Sequence, residues 1–215
     1  MLYPQLTSAK DLLQQYDRGY RDFRQSKLQS IDLSESCLSE IDLAQAELND
    51  SNLAQANLRG ANLTEAVFVK AMLWRVDLRQ ARLTGSRGDR ANLIRANLSR
   101  ATCDRAVLHR ADLRLADLEL ADLSQTDLSG ANLSYANLTG ANLAGANLSY
   151  ANLTGANLAG ANLSRTKLDR AIVANVCWDG SIVDDLDSSQ ASWQNRAHRD
   201  SAQIATGFAQ QVHGE

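Results

Sequence analysis

Residues 131–165 read ANLSYANLTGANLAGANLSYANLTGANLAGANLSR, seven copies of one five-residue unit with no break. Residues 133–147 recur identically at 148–162. Outward from this stretch the same frame holds from Phe23 to Val183, through 33 units without insertion or deletion. Every fifth residue is Leu except at Phe23, Phe68, Gly88, Cys103, Val173, Trp178 and Val183. We call that residue the centre and its neighbours −2, −1, +1 and +2. The −2 residue is small, usually Ala, with larger exceptions at Arg21, Ile31, Ile41, Val76 and Val176. Asn or Asp fills many of the −1 positions.

A period of five fits neither common element. On an α-helix, successive centres would drift by about 140°, so no apolar stripe would form. In a strand five is odd, and successive centres would face opposite ways. Asn, Asp, Ser and Thr also compete with a helix for its backbone bonds. A chain that turns one corner per unit satisfies the pattern: each centre points inward from a short extended side. Coils stacked about 4.8 Å apart then pair their backbone groups.

The units Ala131-Asn132-Leu133-Ser134-Tyr135 and Ala141-Asn142-Leu143-Ala144-Gly145 resemble the pentapeptide-repeat family, and one frame runs through about three-quarters of the chain. The resemblance implies an all-β solenoid: a right-handed quadrilateral β-helix of about eight coils, with four units per coil and a length of roughly 40 Å. It also implies a family abundant in cyanobacteria, some of whose members regulate through protein contacts.

The ends depart from the repeat. Residues 1–22 are expected to hold a capping helix over 7–18, begun by Thr7 or Ser8 and ended near Gly19. Residues 23–183 form the repeat domain. After Val183 the frame breaks at Asp184-Asp185-Leu186-Asp187, and 184–215 is expected to be a helical tail. Within it, 189–212 carries Trp193, Ala197, Ile204, Phe208 and Val212 on one side. Such a helix either covers the last coil or pairs two chains, so a monomer and a dimer both remain open.

Composition bounds the function. The net charge of −3 gives no overall pull toward nucleic acid or membrane. Three well-separated cysteines (Cys37, Cys103, Cys177) suggest a reduced, cytoplasmic setting and no disulfide framework. The N-terminus lacks a signal-type apolar run, and no window has the roughly 18 apolar residues of a membrane span. No catalytic residue, metal ligand set or cofactor motif is evident. His109, His198 and His213 lie in no metal spacing. Cys103 is a centre, so a buried substitute for Leu. Gly140, Gly145, Gly155 and Gly160 fall at repeat corners and make no phosphate loop. Arg87-Gly88-Asp89 spells an adhesion tripeptide by coincidence. The expected protein is not an enzyme.

The outward positions carry the signal. Residues 70–114 hold 11 basic and 4 acidic side chains, whereas 1–69 hold 6 and 10, and 115–215 hold 5 and 11. Arg90, Arg95, Arg100, Arg105 and Arg110 recur every fifth residue and so circle one coil, and Lys70, Arg87, Arg90 and Arg110 gather on one side. A 20-residue register aligns Met72, Trp74 and Arg75 with Ile94 and Arg95, then Arg114 and Leu115, then Tyr135. Tryptophan, arginine and tyrosine are the residue types concentrated at interface hot spots. This predicts a non-catalytic scaffold or regulator that docks an unidentified protein on its central apolar and arginine patch. Some family members imitate DNA and bind gyrase, but they need a continuous acidic face, and this centre is basic. Direct binding of nucleic acid or phosphate by the arginine belt is a third reading; a ring around a rod does not track a duplex.

Overall fold

The computed structural model describes residues 8–187 and 191–192. The five-residue units close into a square coil, and residues 20 apart in sequence lie side by side. Every −1 residue forms a parallel bridge to the −1 residue one coil on, from Asp22 with Asp42 to Ile172 with Ser192. We number the four walls by their first centres: Phe23, Leu28, Leu33 and Leu38.

The hydrogen bonds explain the unit residue by residue. In the unit around Leu133, the centre N–H donates to Asn152 O one coil ahead (2.7 Å), and Asn132 N–H donates back to Ala111 O (2.9 Å). Tyr135 at +2 donates ahead to Thr154 O (2.9 Å), while Ala136 N–H closes the turn on Leu133 O (3.0 Å). One amide is left, that of +1, and the −1 side chain takes it: Ser134 N–H donates to Asn132 Oδ1 at 3.1 Å. Asn and Asp recur at −1 because a short side-chain acceptor there satisfies the one amide the stacking cannot reach. These side chains also ladder between coils, as Asn137 does on Asp117 (3.0 Å) and Asn142 on Asp122 (3.0 Å).

Each corner is a β-turn whose +2 residue has positive φ, near +57° at Gln25, Arg75 and Arg90. That is the conformation of the second central residue in a type II turn. Glycine is the easy choice there and occurs at Gly60 and Gly130, but Gln, Glu, Arg and Tyr are forced into it at most corners. Inside, the Leu centres and Ala −2 residues are essentially sealed from solvent. Where −2 is Thr, its hydroxyl donates to a carbonyl of the neighbouring coil: Thr126 to Cys103 O (2.9 Å) and Thr166 to Leu143 O (2.8 Å).

At the N-terminus α1 spans Ala9–Asp17, with Ser8 as N-cap accepting from Asp11 N–H. Leu12 of α1 is fully buried in the same core as the first centres. Tyr16 donates its hydroxyl to Ser39 O (2.8 Å), and the Arg21 guanidinium stacks 3.8 Å over the Tyr16 ring. At the other end, bridging runs past Val183: Asp187 pairs with Lys167 and Ser192 with Ile172, and Leu186 is buried in a −2 slot. The stacked path therefore does not stop where leucine leaves the frame. Of the helix expected over 189–212, residues 191–192 are instead stacked on the rod through the Ser192 bridge to Ile172, and the rest lie outside the described residues.

Candidate docking wall

The third wall gathers most of the patch read from the sequence. Trp74, Arg75, Ile94, Arg95, Arg114 and Leu115 line one shallow concavity of about 430 Å³. Trp74 and Ile94 occupy the same +1 slot on successive coils, so their side chains project from one column. Met72, 46% exposed, stands beside them at −1. Leu115 is 47% exposed at the corner that borders the fourth wall. Tyr135 shares that corner column but leans the other way, over Gly155: a Cβ on that glycine would lie 2.6 Å from the ring. Tyr135 is thus turned from the concavity.

The cations differ in their commitments. Arg114 forks onto Asp112 (2.7 Å), an interaction that raises its pKa above the ordinary guanidinium value through the Asp112 hydrogen bond. Arg105 pairs with Asp104 (2.9 Å) and Arg87 reaches Asp89 at 3.8 Å. Arg75 approaches the Trp74 ring at 5.7 Å. Lys70, Arg90, Arg95, Arg100 and Arg110 form no ion pair among the described residues, and all are exposed. They sit at corners: Arg90, Arg95, Arg100 and Arg105 take the four corners of one coil, and Arg110 takes the first corner of the next. Lys70, Arg90 and Arg110 stack along the corner between the second and third walls. Arg75 and Arg95 stack along the corner between the third and fourth. His109, beside the first column, shares a hydrogen bond with Ser129 Oγ (2.8 Å).

Two features escaped the sequence. Leu120 is 48% exposed and overlies Gly140, at the corner after the fourth wall. A second concavity, about 510 Å³, is lined by Gln125, Gly145, Arg165, Asp184 and Asp185 diagonally across the rod. Both were traceable in principle, since 120 and 140, or 125 and 145, differ by the 20-residue register.

Burial drives the Cys103 thiol pKa up to about 12, helped by the nearby Asp122 and Asp104 carboxylates, which suits a centre residue. Arg87-Gly88-Asp89 has Gly88 buried as a centre, so the tripeptide is not displayed as a loop. Among the described residues no three His, Cys, Asp or Glu side chains come together to hold a metal ion, and no helix is long and apolar enough to cross a membrane.

The family model for pentapeptide repeats matches residues 26–64, 46–85, 89–125, 126–165 and 136–173. No curated protein matches the chain. Among solved structures, the chain is similar to HetL, a pentapeptide repeat protein involved in heterocyst differentiation regulation from the cyanobacterium Nostoc sp. strain PCC 7120. That match has 31% identity over 90% of this chain and 100% of HetL, with a TM-score of 0.34. It is also similar to full-length QnrB1, a plasmid-mediated fluoroquinolone resistance protein, at 18% identity over 86% of this chain and 88% of that one, TM-score 0.57. A pentapeptide repeat protein from the Arabidopsis thaliana thylakoid lumen matches at 30% identity over 51% of this chain and 66% of its own, TM-score 0.32. With one frame of five matched over most of its length, and a coil in which that frame sets every corner, the chain belongs to the pentapeptide-repeat family.

Proposed function

We propose that this chain is a non-catalytic, cytoplasmic docking rod that binds a protein partner on its third wall. It is a right-handed quadrilateral β-helix of about eight coils, closed at one end by α1. The observation that carries the reading is the concavity in which exposed Trp74 and Leu115 and half-buried Ile94 lie between Arg75, Arg95 and Arg114. Apolar side chains grouped on the outside of a stacked coil do nothing for the core, and they cost solubility unless covered in a complex. A stiff wall also loses little conformational entropy on binding. The basic centre argues against imitation of DNA, which needs acidic charge where this rod carries Lys70 and ten arginines between 70 and 114.

The test is capture of partners from an extract of the source cell by the wild type and by the double variant Trp74→Ala, Arg95→Glu. Both side chains face outward, and glutamate already occupies equivalent corners at Glu35, Glu40 and Glu65. A partner held by the wild type and lost by the variant supports the wall; a partner held equally by both refutes it.

A further inference from the structure

The third wall differs from the other three in having an apolar floor between two columns of uncommitted cations. One column is Lys70, Arg90 and Arg110, and the other is Arg75 and Arg95. The floor holds Met72, Trp74 and Ile94. The floor also lacks one of its usual acceptors. Ile94 N–H is held by Asn92 Oδ1 (3.2 Å) and Arg114 N–H by Asp112 Oδ1 (3.3 Å). In the Trp74 unit the −1 residue is Met72, whose side chain offers no oxygen, and Trp74 N–H has no acceptor among the described residues. Cations on both sides and a free amide in the middle all ask for anionic oxygen, while the tryptophan and isoleucine ask for an apolar side chain.

We propose that the occupant of this wall is a short acidic segment of a partner protein, lying along the rod axis. Its carboxylates face the two corner columns, and at least one bulky apolar side chain enters the concavity beside Trp74. The inference rests on the docking reading above and narrows it to one class of ligand. Three coils spaced about 4.8 Å apart span roughly 10 Å, which is three to four extended residues or two helical turns. The length fits a linear motif better than a domain face. Nucleic acid would pair with the same cations, but the only exposed aromatic on the floor is Trp74, and a strand held by stacking needs successive platforms. A second copy of this chain offers Asp32, Glu35 and Asp50 on the same wall, but these acids are spread over two coils with no exposed large apolar group among them.

The experiment is selection of random displayed 12-residue peptides on the full chain, followed by fluorescence anisotropy of the recovered peptides. A dT12 oligonucleotide is measured in parallel, with sedimentation of the chain alone. We expect recovered peptides to be net negative with a bulky apolar residue between carboxylates. Their dissociation constants should rise at least tenfold in Trp74→Ala and in Arg90→Glu, Arg110→Glu, and should rise steeply between 50 and 500 mM salt. Thermal unfolding of each variant checks that the coil is intact. Neutral or basic peptides that still need Trp74 would overturn the acidic class while leaving the docking wall standing. Recovery of no peptide, or of peptides indifferent to Trp74→Ala, would overturn both. Tighter arginine-dependent binding of dT12 would replace the peptide by a nucleic acid, and salt-sensitive dimers would replace it by a second chain.

Discussion

The Phe68 ring occupies the space that a side chain on Gly88 would fill. The two are centres of the second wall on adjacent coils, and a Cβ added to Gly88 would fall inside the van der Waals envelope of the Phe68 ring. One oversized and one absent side chain thus sum to something close to two leucines. Gly88 is outside the positive-φ region, so its glycine answers to space and not to backbone freedom. Gly88→Leu alone should overpack and cost about 1–3 kcal/mol. Phe68→Leu alone should leave a void and cost about 2 kcal/mol. The double change restores the consensus, and we expect its unfolding free energy in urea to lie within about 0.5 kcal/mol of wild type, a coupling that additive single effects would contradict.

The inward and outward leucines should separate cleanly. Leu118 is a sealed centre, and Leu118→Ala should cost about 2–5 kcal/mol through lost burial and the cavity left behind. Leu115, 47% exposed three residues earlier, should change stability by no more than about 0.5 kcal/mol on replacement by Ala. Denaturant unfolding of the two variants side by side measures the contrast, and equal costs would contradict the inward assignment of the frame.

The −1 acceptor can be removed with little change of volume in the core. Asn137 receives Thr139 N–H (3.2 Å) and the Thr139 hydroxyl (2.6 Å), and donates to Asp117 (3.0 Å). Asn137→Ala should therefore cost about 1 kcal/mol. Asn137→Asp keeps the acceptor but faces Asp117, so it should lose stability at neutral pH and recover part of it in acid as a carboxylate is protonated. Thermal midpoints at pH 4 and pH 7 check the sign.

The thiols offer a readout of burial. Cys37 is exposed and Cys103 is buried. In the folded protein at pH 8, a thiol reagent should label Cys37 quickly and Cys103 only as fast as the coil opens. The Cys103 pKa is raised by burial from 9.0 to about 12. Its contribution to stability is whole below the unfolded value and is lost as pH climbs from about 9 toward 12, because only the unfolded thiol ionises in that window. Cys103→Ala should flatten that alkaline decline; an unchanged slope would contradict the burial.

Much of the rod was legible because leucine at every fifth residue admits few backbone solutions. The position of Trp74 above Ile94 followed from the 20-residue register alone. Other features depend on side-chain direction, which periodicity does not carry. Tyr135 shares a column with Leu115 yet folds over Gly155, since the glycine leaves room on that side. Leu120 stays outside because +2 is a corner, whatever residue fills it. The stacking past Val183 was hidden for another reason: Leu186 supplies the buried contact from the −2 slot, which the repeat usually fills with alanine. The pairing of Phe68 with Gly88 reads as two unrelated exceptions until the coils are stacked.

The docking wall is tested most directly by a photo-crosslinking residue placed at position 94 on the third wall or at position 124 on the first. Both are half-buried +1 slots, replacing Ile94 and Ser124. After illumination in an extract of the source cell, the account predicts one protein adduct from position 94, suppressed by an excess of unlabelled wild-type chain, and none from position 124. The same adduct from both positions, or an adduct from position 124 alone, would contradict it.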